Sequence, residues 1–203
     1  MRVKTEAQRL AIIQAATAVF QEMGYQAASM NRVAARVGGS KGTLYNYFSS
    51  KEELFAEVMI LAVRPDGAKA FDEVINPGKK SLSTVLKRFG AAYLRFYLTP
   101  QMLEITRLAI SEGKDSKLGS LLYIEGVLDG WKHVVNFLEQ RLDPARIPKS
   151  GIWTVAMQYR ALLMSDLIER RLRGVVTEIE DFTLNQVSAD AAALIQNAYG
   201  VSK

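Results

Sequence analysis

Apolar residues recur every three or four positions along almost the whole chain of 203 residues. This spacing places them on one face of an α-helix, whereas a half-buried strand would alternate apolar and polar residues. The sequence shows no such alternation, no internal repeat and no low-complexity tract. The pattern therefore predicts an all-α fold of about nine helices, over residues 6–23, 30–37, 41–47, 51–64, 81–98, 100–112, 116–142, 150–173 and 181–199.

Glycine, serine and proline mark the predicted helix ends. Gly24 and the Gly38-Gly39 pair follow the first two helices, where a residue of left-handed conformation commonly ends a helix. Ser29 and Ser40 precede the second and third helices and are good N-caps. Pro65-Asp66-Gly67 is expected to end the fourth helix, with residues 68–75 able to form a short helix of their own.

Composition excludes most catalytic and metal chemistry. The chain has no cysteine and one histidine, His133, so thiolate metal sites, cysteine nucleophiles and most histidine-based centres are ruled out. Common phosphate-binding, hydrolase and zinc-protease motifs are missing. No apolar run reaches the ~18 residues of a membrane span. We therefore expect a cytoplasmic protein that is not an enzyme, with no cofactor, metal or membrane partner.

The excess of positive charge lies in the first quarter of the chain. The net charge is +5, and residues 1–51 hold seven basic and two acidic side chains, so the remainder is neutral. A basic segment joined to a neutral body is typical of a head that binds nucleic acid, although a solvated basic face would give the same count.

Two short helices joined by a tight glycine turn, inside this basic segment, predict a helix-turn-helix. Leu44 and Phe48 stand four residues apart in and just after the second of these helices, and are expected to pack inward. The polar residues around them are then left available to DNA.

These residues resemble the TetR/AcrR family of bacterial transcriptional repressors. The resemblance covers about residues 6–57 and is carried above all by Gly38-x-Ser40-Lys41-Gly42-Thr43-Leu44-Tyr45-x-Tyr47-Phe48-x-x-Lys51-Glu52-x-Leu54. It implies a helix-turn-helix domain over residues 1–50, with a three-helix head, and a helical ligand-binding and dimerisation domain over residues 51–203. The family usually has an apolar residue where Gly39 stands, so the recognition helix is expected to be looser here.

The resemblance also implies DNA contacts at named positions. Residues expected at phosphates are Ser29, Ser40, Lys41, Tyr47 and Lys51; those expected at bases are Gly42, Thr43, Tyr45 and Asn46. Each has a plainer interpretation. The two tyrosines would also suit a core, the two lysines a solvated surface, and Ser29 a helix cap without DNA contact.

The eighth predicted helix has two apolar stripes, so two of its faces must be covered. We expect one stripe, with the apolar residues of the last helix, to form a homodimer interface, as the resemblance also implies. The predicted interface residues are Ile152, Val155, Tyr159, Leu163, Leu184, Val187, Ala191, Leu194 and Ile195. The alternative is that both stripes are covered within one chain.

The resemblance further implies a pocket for a small apolar or aromatic effector inside the body. Its predicted lining is Phe89, Tyr93, Phe96, Leu103, Arg107, Trp131 and Met157, although a packed core would use the same residues. The sequence thus favours a repressor that binds a near-palindromic DNA operator as a homodimer and is released by an inducer. The alternative is a DNA-binding regulator of the same shape that has no small-molecule inducer, being constitutive or controlled by a protein partner.

Overall fold

A computed structural model describes residues 5–201, and within that range the chain is helical with no β-strand. The first six helices are α1 (Glu6–Ala27), α2 (Met30–Val37), α3 (Lys41–Tyr47), α4 (Lys51–Ile75), α5 (Leu82–Tyr97) and α6 (Pro100–Glu112). Helix α7 runs continuously through Leu118–Leu121, a π-helical stretch Leu122–Leu128, and Asp129–Glu139. Helices α8 (Ile152–Leu172) and α9 (Asp181–Tyr199) follow a 3₁₀ turn at Pro144–Arg146. The predicted all-α fold of about nine helices is confirmed over the described residues.

The chain forms two compact units. The first, here called the head unit, comprises the residues up to Val63 together with Leu108–Gly126. The second, the body unit, comprises Arg64–Arg107 and the residues from Val127 onward. The domain boundary expected at residue 50 stays a prediction.

Helix α4 differs from its expected course, because it continues through Pro65 to Ile75 instead of ending at Pro65-Asp66-Gly67. Proline within a helix removes one backbone hydrogen bond to the carbonyl four residues earlier. Pro65 itself is exposed. Beyond the proline, Phe71 and Val74 are buried in the body unit, and this burial favours the continued helix.

Helix α7 contains a second departure from a regular helix. Its π-helical stretch adds residues to each turn and so rotates the apolar face. Within this stretch Ile124 is 59% exposed, whereas Trp131 and Leu138 further along the helix are fully buried.

The body unit is built around a close approach of α5 to α8 and α9. A Cβ placed on Gly90 of α5 would lie 2.7 Å from a methyl carbon of Leu163 and 2.7 Å from the Tyr159 hydroxyl, and 3.1 Å from Ser188. Only glycine therefore fits here. The Tyr159 hydroxyl donates a hydrogen bond to the Leu86 carbonyl at 2.5 Å, which satisfies a polar group with no solvent exposure.

None of the helices in the described range is both long and apolar enough to span a membrane.

Candidate nucleic-acid interface

Helices α2 and α3 form the predicted helix-turn-helix. Gly38 ends α2 with φ +70°, and its N–H donates to the carbonyls of Ala34 and Ala35. A left-handed residue at this place favours glycine, because a side chain would be strained there. Leu44 and Phe48 are 1% and 2% exposed, so their predicted inward packing is confirmed. These two anchors and the glycine turn hold α3 against the rest of the head unit.

Both helices of the motif begin at a serine cap, as predicted. The Ser29 hydroxyl accepts from the N–H of Arg32 at 3.4 Å, and the Ser40 hydroxyl accepts from the N–H of Thr43 at 3.1 Å. The hydroxyls of Ser40 and Thr43 also lie 2.9 Å apart in a mutual hydrogen bond. The start of α3 is thus organised without DNA, and its two hydroxyls stay near the surface.

The outward face of α3 combines four exposed residues: Lys41, Gly42, Tyr45 and Asn46. The Tyr45 side chain is 42% exposed, and the Lys41 ammonium lies 5.7 Å from the centre of its ring. A Cβ on Gly42 would meet only the Ser40 hydroxyl, at 3.8 Å. The protein itself therefore leaves room at Gly42, which a close-lying base or phosphate would use.

Tyr47 and Lys51, also expected at phosphates, have partners within the head unit. The Tyr47 hydroxyl accepts from the N–H of Thr5 at 2.8 Å. The Lys51 ammonium donates to the carbonyls of Tyr25, at 3.0 Å, and of Ala28, at 3.4 Å, and it lies 4.2 Å from the centre of the Tyr25 ring. Both residues are half-buried. Lys51 thus serves the end of α1 in the described structure.

Tyr25 joins an aromatic group at the end of α1 that sequence reasoning did not single out. Its ring packs edge-on against Phe55, with centroids 4.7 Å apart, and its hydroxyl donates to Glu52 at 3.5 Å. Burial and the nearby Glu52 charge raise the pKa of Tyr25 to about 12. The pKa of Glu52 is lowered, chiefly by a hydrogen bond from its own backbone N–H. Tyr25 directly follows Gly24, the predicted end of the first helix, and this position was the available signal.

Two arginines of the head unit form ion pairs. Arg36 forms two hydrogen bonds to Glu22, at 2.7 and 2.6 Å, and this contact lowers the pKa of the glutamate. Arg9 pairs with Glu57 at 2.8 Å. Helix α3 has one basic residue, Lys41, and it stands on the outward face.

The nine predicted interface residues divide between the interior and the surface. Six of them are buried within the chain: Val155, Tyr159, Leu163, Leu184, Ala191 and Ile195. Ile152 and Val187 are half-buried, and Leu194 is 54% exposed. The predicted interface residues Tyr159 and Leu163 of α8 face Gly90 on α5 of the same chain. The other stripe, at Trp153, Met157 and Met164, is the one left partly exposed.

Three predicted pocket residues meet in a dense aromatic cluster of the body unit. Phe89, Tyr93 and Trp131 lie with ring centroids 5.2 to 5.6 Å apart, and Phe71 and Tyr159 extend the cluster. Burial raises the pKa of both Tyr93 and Tyr159.

The other four predicted pocket residues are more dispersed. Leu103 is buried, and Phe96 and Met157 are half-buried. Arg107 is exposed and donates to the carbonyls of Leu172, at 3.1 Å, and Arg171, at 2.9 Å. It therefore caps the last turn of α8, a use that the sequence pattern did not reveal.

Comparison with known families decides the family of this protein. Residues 12–58 match the model for bacterial regulatory proteins of the TetR family, and residues 84–201 match the C-terminal domain of AefR-like transcriptional repressors. The chain belongs to the TetR family. The resemblance found in the sequence is confirmed: the matched family consists of bacterial regulatory proteins, and the curated relatives are HTH-type transcriptional regulators, not enzymes.

Individual relatives agree with this assignment. An uncharacterized HTH-type transcriptional regulator of Bacillus subtilis, YhgD, is 32% identical over 108 residues, which are 50% of this chain and 56% of YhgD. The match thus spans about half the length of this relative. A TetR-family regulator structure from Mesorhizobium loti has a TM-score of 0.70 at 20% identity, covering 98% of this chain and all of that one. The flavonoid-responsive regulator FrrA gives a TM-score of 0.69 at 24% identity, with the same coverage. These two likenesses show the fold.

Proposed function

We propose that this TetR-family protein is a homodimeric repressor that binds a near-palindromic operator through α3 and is released by a small apolar or aromatic effector. The observation that carries the DNA-binding part is the outward face of α3. Its exposed residues stand on a helix held by two buried anchors and a serine cap. The AefR-like repressor description of the C-terminal model supports repression as the mode of control.

The chemistry of α3 suits a major groove. Tyr45 offers an aromatic ring to a thymine methyl, and Asn46 is able to pair with an adenine edge. Lys41 and the capped N-terminus of α3 favour a phosphate beside them. Gly42 lets the backbone approach the groove closely, since nothing of the protein fills the space where its side chain would stand.

A second copy of the chain is needed because one helix of seven residues reads too little DNA for specificity. We place the dimer contact on the outward stripe of α8, at Trp153, Met157 and Met164, together with Leu194 of α9. These apolar side chains are partly exposed in the single chain, and covering them would stabilise a dimer. The buried stripe at Val155, Tyr159 and Leu163 supports this contact from within.

A twofold dimer requires two half-sites about 34–36 Å apart, so the operator is expected to be near-palindromic. Binding there keeps the protein on the bacterial nucleoid in the cytoplasm.

Effector control rests on the aromatic cluster of the body unit and on the continuity of two helices. Helix α4 includes the first residues after the head motif and also Phe71 of the cluster. Helix α6 includes buried Leu103, and its last residue Glu112 accepts a hydrogen bond from Gln26 of the head unit. A ligand that binds one conformation of these helices better than another would shift the population and change operator affinity. FrrA, which is flavonoid-responsive by name, is a precedent for such control in a similar fold.

The alternative is a regulator of this shape without a small-molecule effector. The density of the aromatic cluster favours it, because Phe89, Trp131 and Tyr159 are fully buried and already fill one another's surroundings.

The test is selection of genomic fragments by the purified protein, followed by footprinting at physiological salt with competitor DNA. We expect a protected near-palindrome, and dimers by sedimentation. Only weak, salt-sensitive protection without sequence preference would contradict operator binding. Loss of protection on adding a small molecule would then separate effector control from the alternative.

A further inference from the structure

Helix α8 contains one residue with a strained backbone. Ser165 has φ +37° and ψ −139°, although the helix continues on both sides of it. Among the described residues it is the one residue other than glycine that has a positive φ. Such a conformation is unfavourable for a residue with a side chain, and it persists only where the surrounding structure imposes it. Contacts on the two sides of Ser165 must therefore maintain this kink.

The part of α8 before Ser165 is fixed by close packing against α5. Tyr159 and Leu163 have no solvent exposure, and a Cβ on Gly90 of α5 would lie 2.7 Å from a side-chain atom of each. The Tyr159 hydroxyl also donates to the Leu86 carbonyl of α5. Interiors packed this closely resist small shifts, so this part of the helix has little freedom to turn or slide.

The last turn of α8 is held by a different helix, α6. The guanidinium of Arg107 donates to the carbonyls of Leu172, at 3.1 Å, and Arg171, at 2.9 Å. A positive charge at the C-terminal end of a helix is also favourable for the helix dipole. Arg107 is the last residue of α6 in the body unit, and the same helix continues into the head unit from Leu108.

The residues after Ser165 have the charge pattern of a helix of their own. Asp166 and Glu169 stand near the start of this segment, and the basic residues stand near its end. Asp166 pairs with Arg170 at 3.7 Å, and Glu169 pairs with Arg173 at 2.8 Å. Pairs four residues apart stabilise a helix locally. The segment is therefore able to stay helical whether or not it is continuous with the first part of α8.

We propose that Arg107 is a clamp that keeps α8 kinked, and that release of this clamp lets α8 straighten at Ser165 and alters α6. Since α5 fixes the first part of α8 and Arg107 fixes its end, the strain falls on the residue between them. Helix α6 continues into the head unit, so the two conformations of α8 are expected to differ in operator affinity. This inference rests on the proposed function and adds the element that controls it.

Melting temperatures of glycine and alanine variants test the strained backbone. Glycine adopts a positive φ without strain, so Ser165→Gly is expected to melt about 2–4 °C above Ser165→Ala. Ala161 is the matched position, because it is an exposed residue in the regular part of the same helix. There Ala161→Gly is expected to melt below the unchanged protein. If Ser165→Gly melted below Ser165→Ala, the kink and the proposal would both be wrong.

The same comparison in an Arg107→Gln background tests the clamp. A straightened α8 favours alanine at position 165 as at Ala161, so the order of the two Ser165 variants is expected to reverse. Arg107 is exposed, and its removal is not expected to prevent folding. Arg95→Gln is the control, since Arg95 is an exposed arginine of α5 that pairs with Asp181, and it should leave the order unchanged. An unchanged order with Arg107→Gln would overturn the proposal.

Operator affinity tests the regulatory consequence. Ser165→Gly favours the kinked conformation and Arg107→Gln releases it, so the two variants should change operator affinity in opposite directions, each at least threefold. Fluorescence anisotropy with the selected operator measures both. Changes in the same direction, or no change, would rule out control through α8. The melting comparison uses no DNA, so a protein that selects no operator would contradict the proposed function while the clamp is still tested.

Discussion

The outward face of α3 and the aromatic cluster of the body unit use similar side chains in opposite ways. Tyr45 is exposed beside Lys41, whereas Tyr93 and Tyr159 are enclosed, and the Tyr159 hydroxyl donates to the Leu86 carbonyl of α5. Substitutions on α3 should therefore change DNA affinity and leave folding alone. Substitutions in the cluster should change folding first. We therefore expect an exposed tyrosine of this protein to act in recognition and an enclosed one to act in stability.

The largest effect is expected where α5 meets α8 and α9. Gly90→Ala would place a Cβ 2.7 Å from Leu163 and from the Tyr159 hydroxyl. Such overpacking typically costs about 1–3 kcal/mol, so we expect a fall in the free energy of unfolding of that size, measured by urea denaturation. Gly126→Ala is the control, since its Cβ would stand 3.5 Å from Ile60 in ordinary contact. Equal stability of the two variants would contradict the described packing.

The Tyr45→Ala variant tests the outward face of α3. Loss of the base contact should weaken binding to the selected operator by about 10- to 100-fold, equivalent to about 1–3 kcal/mol. The melting temperature should stay within about a degree, because Tyr45 is exposed. Fluorescence anisotropy with labelled operator measures the affinity. Leu10→Ala, also at an exposed head residue, should leave affinity unchanged, and a comparable loss there would count against a specific role for Tyr45.

Gly42→Ala should separate stability from recognition at one position. Alanine is favoured over glycine in a helix by up to about 1 kcal/mol, and the protein leaves room for its methyl group. We expect unchanged or slightly higher thermal stability together with about tenfold weaker operator binding. Calorimetry measures the thermal stability, and fluorescence anisotropy measures the affinity for the operator. Unchanged affinity would mean that the α3 backbone does not approach DNA at Gly42.

The smallest effect distinguishes the two lysines of the family motif. Lys41→Met should lower the salt dependence of operator binding by about one unit of log–log slope, as expected for one lost phosphate contact. Lys51→Met should instead lower stability by about 1 kcal/mol, because its ammonium bonds to the Tyr25 and Ala28 carbonyls. Titrations at several salt concentrations and thermal melts distinguish these outcomes. If Lys51→Met also lowered the log–log slope by a full unit, Lys51 would be a phosphate contact, as the family resemblance implies.

Much of the head could be predicted from the sequence because its signals are local. Serine caps, a glycine turn and two anchors four residues apart act within a few residues, so α2 and α3 begin and end where the pattern placed them. The family motif adds the positions expected to face DNA, and those on α3 are exposed or half-buried in the structure.

Tertiary contacts decided the rest. Two apolar stripes on α8 are equivalent in sequence, and only packing against Gly90 of α5 determines which one turns inward. Pro65 is typical of a helix end, yet α4 continues beyond it because Phe71 and Val74 are buried. Arg107 and Lys51 find carbonyls 64 and 26 positions away in the chain. Sequence alone determined the helices and the family because helix formation and capping are short-range. The inward faces and the partners of charged groups depend on long-range packing, which no local pattern records.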